Sequence, residues 1–334
     1  MKRLLLLGAA WLCTAWPAGA AEALPYAAYQ GFVREIHARW YVPQSHAFVA
    51  AAERLARAMG QLCEGDEGLA RARAQWLETV AGWEQFSAVR GGALLARRSP
   101  REIDFMPTRP EAIARAIAAA PADAKAMDEI GSPAKGLPAL EWLMWRRPTL
   151  DGPACRYAQQ VAAAVLAEAR LLQRAYVKTL SDDWDESAAE YAMYEFLNLW
   201  ASGLQKLWWE ELDRPLQKAG GGRGPVWSRS ASGHSRAGWL QQWAGLRRLA
   251  VGPAPSLQQY LLAQGQPEAA AHLQQQVVAA DAALAGVGGA LDTPAGRAQI
   301  SAAIQALRGL QEFAEGEMAT ALHFVISFFD EDGD

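Results

Sequence analysis

The sequence predicts an all-α protein built from helical bundles. Three observations carry that expectation. Apolar residues recur at helical spacing in several long runs, the composition is rich in Ala, Leu, Gln and Arg, and few segments alternate as strands would. The connections between periodic runs are short, and all-helical chains with short connections pack as bundles.

In chain order, Lys2 and Arg3 form a basic start, Leu4 to Trp16 an apolar core, and Ala18-Gly19-Ala20 a small-residue cleavage site. That pattern predicts a signal peptide over residues 1–20, cleaved after about Ala20, and a periplasmic product. The apolar stretch is too short to span a bilayer. Cys13 follows Trp11-Leu12 rather than two small residues, which argues against a lipid anchor.

A helix is predicted between Glu67 and Arg90, where Leu69, Trp76, Val80 and Trp83 recur and the two tryptophans, seven apart, share a face. The region 91–110, with Pro100, Pro107 and Pro110, is irregular and has the character of a functional loop. A helix starting near Pro138 suits proline in a first turn. Pro153 to Leu180 carries a stripe of Val161, Val165, Leu172 and Tyr176. Glu186 to Lys218 follows, with Asp182 and Asp183 at its start.

Gly220 to Gly224, ahead of Pro225, reads as a helix stop and loop and not as a phosphate cradle, which needs a helix close behind it. Later helices are expected over Gly238 to Ala250, Ser256 to Ala263, Pro267 to Ala285 and Pro294 to Phe328. The interruption at Pro148 and Gly152 places a boundary between domains at 21–150 and 151–334.

Loss of Lys2 and Arg3 with the signal would take the formal net charge from −4 to −6. The surface is mildly acidic, with no basic stripe for nucleic acid. No later segment reads as a membrane span. Two cysteines follow the signal, Cys63 and Cys155. In an oxidising compartment they form either a disulfide or two separate buried thiols.

The stretch Gly136-Leu137-Pro138-Ala139-Leu140-Glu141-Trp142-Leu143 resembles the signature region of the imelysin-like family, periplasmic and outer-membrane helical proteins tied to iron uptake. The family's signature is Gly-x-His-x-x-Glu. Here Gly136 and Glu141 keep the spacing, and Pro138 stands at the histidine position, as in a subset carrying Gly-Leu-Pro-Ala-Leu-Glu. Trp76, Trp83, Arg90 and Gly92, the loop from Asp104-Phe105 through Pro107 to Arg109, Trp227-Ser228-Arg229-Ser230, and the acidic end at Asp330 to Asp334 are similar to that subset in order and spacing. The resemblance implies two packed four-helix bundles, supports pairing of Cys63 with Cys155, and implies a role beside outer-membrane or periplasmic iron-uptake components, with iron or another divalent metal bound.

Glu141 is the centre of the candidate site, with Gly136 and Pro138 in its signature. It serves either as a carboxylate favouring its own helix start or as a buried cleft carboxylate. The metal reading takes Glu141 with Glu84 and His46 as ligands, and Asp104 as a further partner. Oxygen-rich sites suit hard cations. The competing reading is a polar network in which Glu141 pairs with Arg90, or Asp104 with Arg109. An arginine-lined cleft could also hold a carboxylate- or phosphate-bearing ligand.

A peptidase reading is poor. The five histidines are dispersed, no His-Glu-x-x-His motif is present, and proline neither ligates nor moves protons. Ser230 with His234 lacks an acid partner, and serines ahead of a helix are usually caps. The expected function is therefore a non-enzymatic binding or accessory protein in metal acquisition. A metallopeptidase and a scaffold with a structural polar core stand as alternatives.

Overall fold

The structure, a computed structural model, describes residues 26–147, 150–219 and 224–325. The signal segment, most of the glycine break, Pro148 and the acidic end lie outside them. Every regular element among the described residues is helical.

Four helices pack together first: α2 (Val42–Gly60), α3 (Asp66–Phe86), α8 (Gly136–Trp145) and α9 (Gly152–Thr179). A second set comprises α10 (Glu186–Gln205), α12 (Ser235–Val251), α14 (Pro267–Gly286) and α15 (Pro294–Phe313). The N-terminal α1 (Tyr26–Ile36) packs against α10, and α3 meets α12 across the junction. Although α9 follows the proline–glycine interruption, it packs back onto α2 and α8 of the first set. A disulfide joins Cys63, in the turn after α2, to Cys155 in the first turn of α9.

Local chemistry explains most helix ends. Asp151 accepts from the Ala154 amide at the start of α9, with Pro153 just inside it. α10 is capped by Asp185, which accepts from the Ala188 amide, and not by Asp182 or Asp183 as expected. Those two fall one turn early, in the connection after α9.

The loop after α3 is the proline-rich region foreseen as irregular. It holds two one-turn helices, α4 (Ala93–Ala96) and α5 (Ser99–Ile103), and a cis Met106–Pro107 bond. Its start is anchored on buried aromatics. The Tyr176 hydroxyl donates to the Gly91 carbonyl at 2.6 Å, Tyr41 stacks on Tyr176, and the Gly92 amide donates to Glu195.

Two helices expected as uninterrupted contain wide π-helical turns. Lys206–Asp213 separates α10 from α11 (Arg214–Lys218), and Ala314–Met318 separates α15 from α16 (Ala319–Ala321). The first carries Trp208 and Trp209, both half-buried. Trp208 donates to Gln311 and lies under the Arg308 guanidinium.

Candidate functional site

The site forms where α3, the proline-rich loop, α8 and the turn before α12 meet. Helix α3 contributes Trp76, Trp83 and Glu84. Both tryptophans are fully buried, and each is also a donor. The Trp76 indole donates to the Leu137 carbonyl at the start of α8, and the Trp83 indole donates to Asp104 Oδ2, both at 2.9 Å. One helical face therefore positions both the signature helix and the loop.

Gly136 sits at φ +75°, and a Cβ there would lie 2.4 Å from the Ile103 carbonyl oxygen. Only glycine satisfies both the backbone angle and that approach. Pro138 is buried in the first turn of α8, where a missing N–H costs nothing.

Glu141, 5% exposed, is the sixth residue of α8 and does not serve its own helix start. Its Oε1 accepts from the Ser232 amide at 2.9 Å and the Ser232 hydroxyl at 2.7 Å. The helix that bears the signature thus fastens a turn of the second half. That turn holds Arg229 at φ +57°, a left-handed conformation costing roughly 1–2 kcal/mol for a residue with a Cβ. The Arg229 carbonyl accepts from the His234 amide, and Ser235 Oγ donates to the Ser228 carbonyl, which together hold the shape.

The Arg229 side chain, 2% exposed, is the centre of the buried polar network. Its Nε and Nη2 donate to Glu84 Oε1 at 3.2 and 3.1 Å, and Nη2 also donates to Asp104 Oδ1. Glu84 Oε2 accepts from Gln242 on α12 at 2.7 Å. Burial pushes the Glu84 carboxyl up to about 7; Arg229 opposes that rise, and Asp104 and Glu211 add to it. Against its own desolvation, Asp104 and Glu84 hold the Arg229 guanidinium firmly charged.

Beside this network lies a second, partly buried pair. Lys206 Nζ meets Glu211 Oε1 at 3.0 Å, and Ser228 donates to Glu211. Despite desolvation by burial, Lys206 and the Ser228 hydroxyl keep the Glu211 carboxyl below its ordinary range. A cleft of roughly 300 Å³ opens above both, walled by the proline-rich loop on one side and the Lys206–Asp213 turn on the other.

The sequence-predicted residues separate into three groups. Glu84 and Asp104 form the cleft floor, and Arg90 lines its wall. Glu141, Gly136 and Pro138 lie behind that floor, as supports of α8 and of the Arg229 turn. Arg109 and His46 belong elsewhere. Arg109 lines a separate groove with Arg115 and Glu129, its amide bonded to the Pro133 carbonyl. His46 is exposed on α2 and pairs with Gln173.

Neither expected ion pair forms among the described residues. Asp104 takes Arg229 and Trp83 as partners instead of Arg109, and Glu141 takes Ser232 instead of Arg90. Ser230 is exposed, and Ser232 makes the contact that matters. Arg229 and Gln242 were not among the expected site residues. Their partners lie 145 and 158 residues away, beyond the reach of any local pattern.

The donor set does not fit a metal. Both oxygens of Glu84 and of Asp104 face N–H donors, and a permanent cation stands between the two carboxylates. Among the described residues, no group of three His, Cys, Asp or Glu side chains is placed to hold an ion.

Comparisons with known proteins agree on the architecture. An imelysin-like protein from Psychrobacter arcticum 273-4 superposes with a TM-score of 0.80 at 18% identity, covering 91% of this chain and 98% of that one. A putative iron-regulated protein A precursor from Parabacteroides distasonis ATCC 8503 does so with a TM-score of 0.73 at 14% identity, covering 91% and 97%. At such identities the likeness establishes the fold alone. No curated protein sequence matches. The imelysin (Peptidase M75) family profile matches residues 41–312, most of the length, and the chain belongs to that family.

Proposed function

We propose that this protein is a periplasmic, non-enzymatic binding or accessory protein in iron acquisition, acting through the cleft over the Arg229 network. The observation that carries the proposal is the junction itself. Glu84 and Asp104 from the first half close on Arg229 and Gln242 from the second, so the cleft floor is pre-formed and spans both. Pre-organised, partly apolar clefts between bundles are where small ligands bind.

Iron enters this reading as cargo. The family's tie to iron uptake supports it, as does the name of the Parabacteroides neighbour. Because a fixed guanidinium occupies the carboxylate cluster, iron would arrive as part of an anionic organic complex and not as a bare ion. No helix among the described residues is long and apolar enough to cross a membrane, which is compatible with a periplasmic product once a signal is removed. The peptidase reading has less support, because Glu141 is committed to Ser232 and Pro138 stands where a ligand would be needed.

Two measurements test the proposal. A strain lacking the chromosomal copy should grow poorly under iron limitation and be restored by the wild-type gene. Elemental analysis of protein purified from periplasm without chelator should find no stoichiometric copper or zinc, and iron only together with an organic chelator. Copper or zinc at one equivalent, or iron bound without an organic partner, that is lost in Glu84→Gln would return the carboxylate cluster to a metal centre and overturn the proposal.

A further inference from the structure

Resting on that reading of the cleft, we infer its ligand class. The cleft takes an organic monocarboxylate with a flat apolar body, its carboxylate gripped by Arg98 and Arg101 and its body laid on Leu95, Phe105 and Met106.

Most of the charge around the cleft is already spent. Of the carboxylates lining it, Glu84 and Asp104 are held by Arg229, Glu211 is held by Lys206 and Ser228, and Glu210 lies 3.9 Å from Lys206. Arg98 and Arg101 also line the cleft, and among the described residues neither has a carboxylate partner. They lie three residues apart at the one-turn helix α5, Arg98 in a left-handed conformation at φ +54°. Their segment is pinned and not free to swing. Arg97 makes two bonds to Glu168 of α9, Ser99 makes a third at 2.6 Å, and Ser99 and Ile103 are buried.

Two arginines three residues apart, both lining the cleft, suit a carboxylate, which a guanidinium grips through two parallel N–H donors. The apolar part of the ligand follows from the same wall. Leu95, Phe105 and Met106 line the cleft beside the arginines, and Met106 is 44% exposed. A large apolar side chain left open within a cleft is the kind of surface a ligand covers. The acidic side chains on the opposite rim select for low charge. Lys206 serves both Glu210 and Glu211, so that rim keeps one uncompensated negative charge; against Arg98 and Arg101 the balance is a single positive charge, which one carboxylate fills and a doubly charged phosphate exceeds.

The test is calorimetric titration of the full mature chain with 2-naphthoate, using 2-naphthamide as the neutral isostere and 2-naphthyl phosphate as the dianion. Saturable binding of one naphthoate is expected, with the amide and the phosphate each at least about tenfold weaker, since a charge-assisted pair contributes on the order of one to two decades. Arg98→Gln with Arg101→Gln should weaken naphthoate about tenfold or more and leave the melting temperature unchanged, because both side chains are exposed. Met106→Asp should weaken it independently. Absence of naphthoate binding, equal binding of the amide, tighter binding of the phosphate, or an unaffected double variant would each overturn the inference. Growth under iron limitation separates this result from the broader proposal. A double variant that loses naphthoate yet restores growth sinks the iron role of the cleft and leaves the ligand class standing. A chain that never binds naphthoate but needs both arginines for growth does the reverse.

Discussion

At the scale of single residues, Arg229 carries the largest burden. It is charged, buried, left-handed in its backbone and bonded to two carboxylates from the other half of the molecule. Removing such a partner strands buried charge, which costs more than the pair itself contributes. Arg229→Met is expected to lower stability by about 3–5 kcal/mol, read as a shift in the urea midpoint at neutral pH. Arg229→Lys should recover only part of that, because a single ammonium cannot reproduce donors to Glu84 and Asp104 at once. Equal midpoints for wild type and Arg229→Met would show the network to be energetically idle. Glu84 gives a second prediction with a definite sign. Its carboxyl titrates near 7 in the folded chain against an ordinary 4.5, so the folded state binds the proton more tightly. Its contribution to stability is complete below pH 4.5 and is lost as pH rises through 7. Urea midpoints measured from about pH 5 to about pH 8 should fall more steeply for wild type than for Glu84→Gln. Parallel curves would refute the assignment.

At the scale of elements, the two halves approach so closely because glycines stand where they cross. Gly203 on α10 would place a Cβ 2.2 Å from the Ala88 carbonyl oxygen and 2.8 Å from Leu246. Gly245 on α12 would place one 2.4 Å from the Gln85 carbonyl oxygen and 2.8 Å from the Ala88 Cβ. The segment leaving α3 is therefore wedged between α10 and α12, just ahead of Val89 and Arg90 and so at the root of the cleft wall. The backbone atoms it would strike cannot rotate away as a side chain can. Gly203→Ala and Gly245→Ala are each expected to cost about 1–3 kcal/mol by overpacking. Because both press on Ala88, the double substitution should cost less than the sum, by about 0.5 kcal/mol or more. Strict additivity in a double-mutant cycle would mean that the two contacts are relieved separately. The Lys206–Asp213 turn acts on the opposite wall. Its wider winding departs from an uninterrupted helix where Lys206 and Glu211 meet beside Ser228.

At the scale of the whole molecule, helices and junction were unequally legible. Long periodic runs such as those of α3 and α9 announced themselves, because helical spacing and caps are written within a few residues. The turns at Lys206–Asp213 and Ala314–Met318 did not, since a single widened turn leaves apolar periodicity nearly intact on either side. The signature around Glu141 falls on α8, which packs behind the cleft floor. It could not show that Glu141 serves the Arg229 turn, a contact across 91 residues. What joins these scales is the covalent loop closed by Cys63 and Cys155, whose ends are 92 residues apart. Glu84, Asp104, Glu141 and the whole proline-rich loop lie inside it. Arg229, Ser232, Gln242 and the Lys206–Glu211 pair lie outside. The disulfide thus restrains the unfolded excursions of the half that receives Arg229, while the half that supplies Arg229 has no such tie. A cross-link acting mainly on the unfolded ensemble stabilises by roughly 2–4 kcal/mol, whatever contacts the folded state makes. Cys63→Ser with Cys155→Ser should therefore lower the denaturation midpoint by a corresponding amount. Amide exchange should quicken in α2, α3, α8 and α9 and leave α14 and α15 protected as before. Uniform loss of protection through both sets of helices would mean instead that the junction welds the halves into one cooperative unit, with the Arg229 network as the weld.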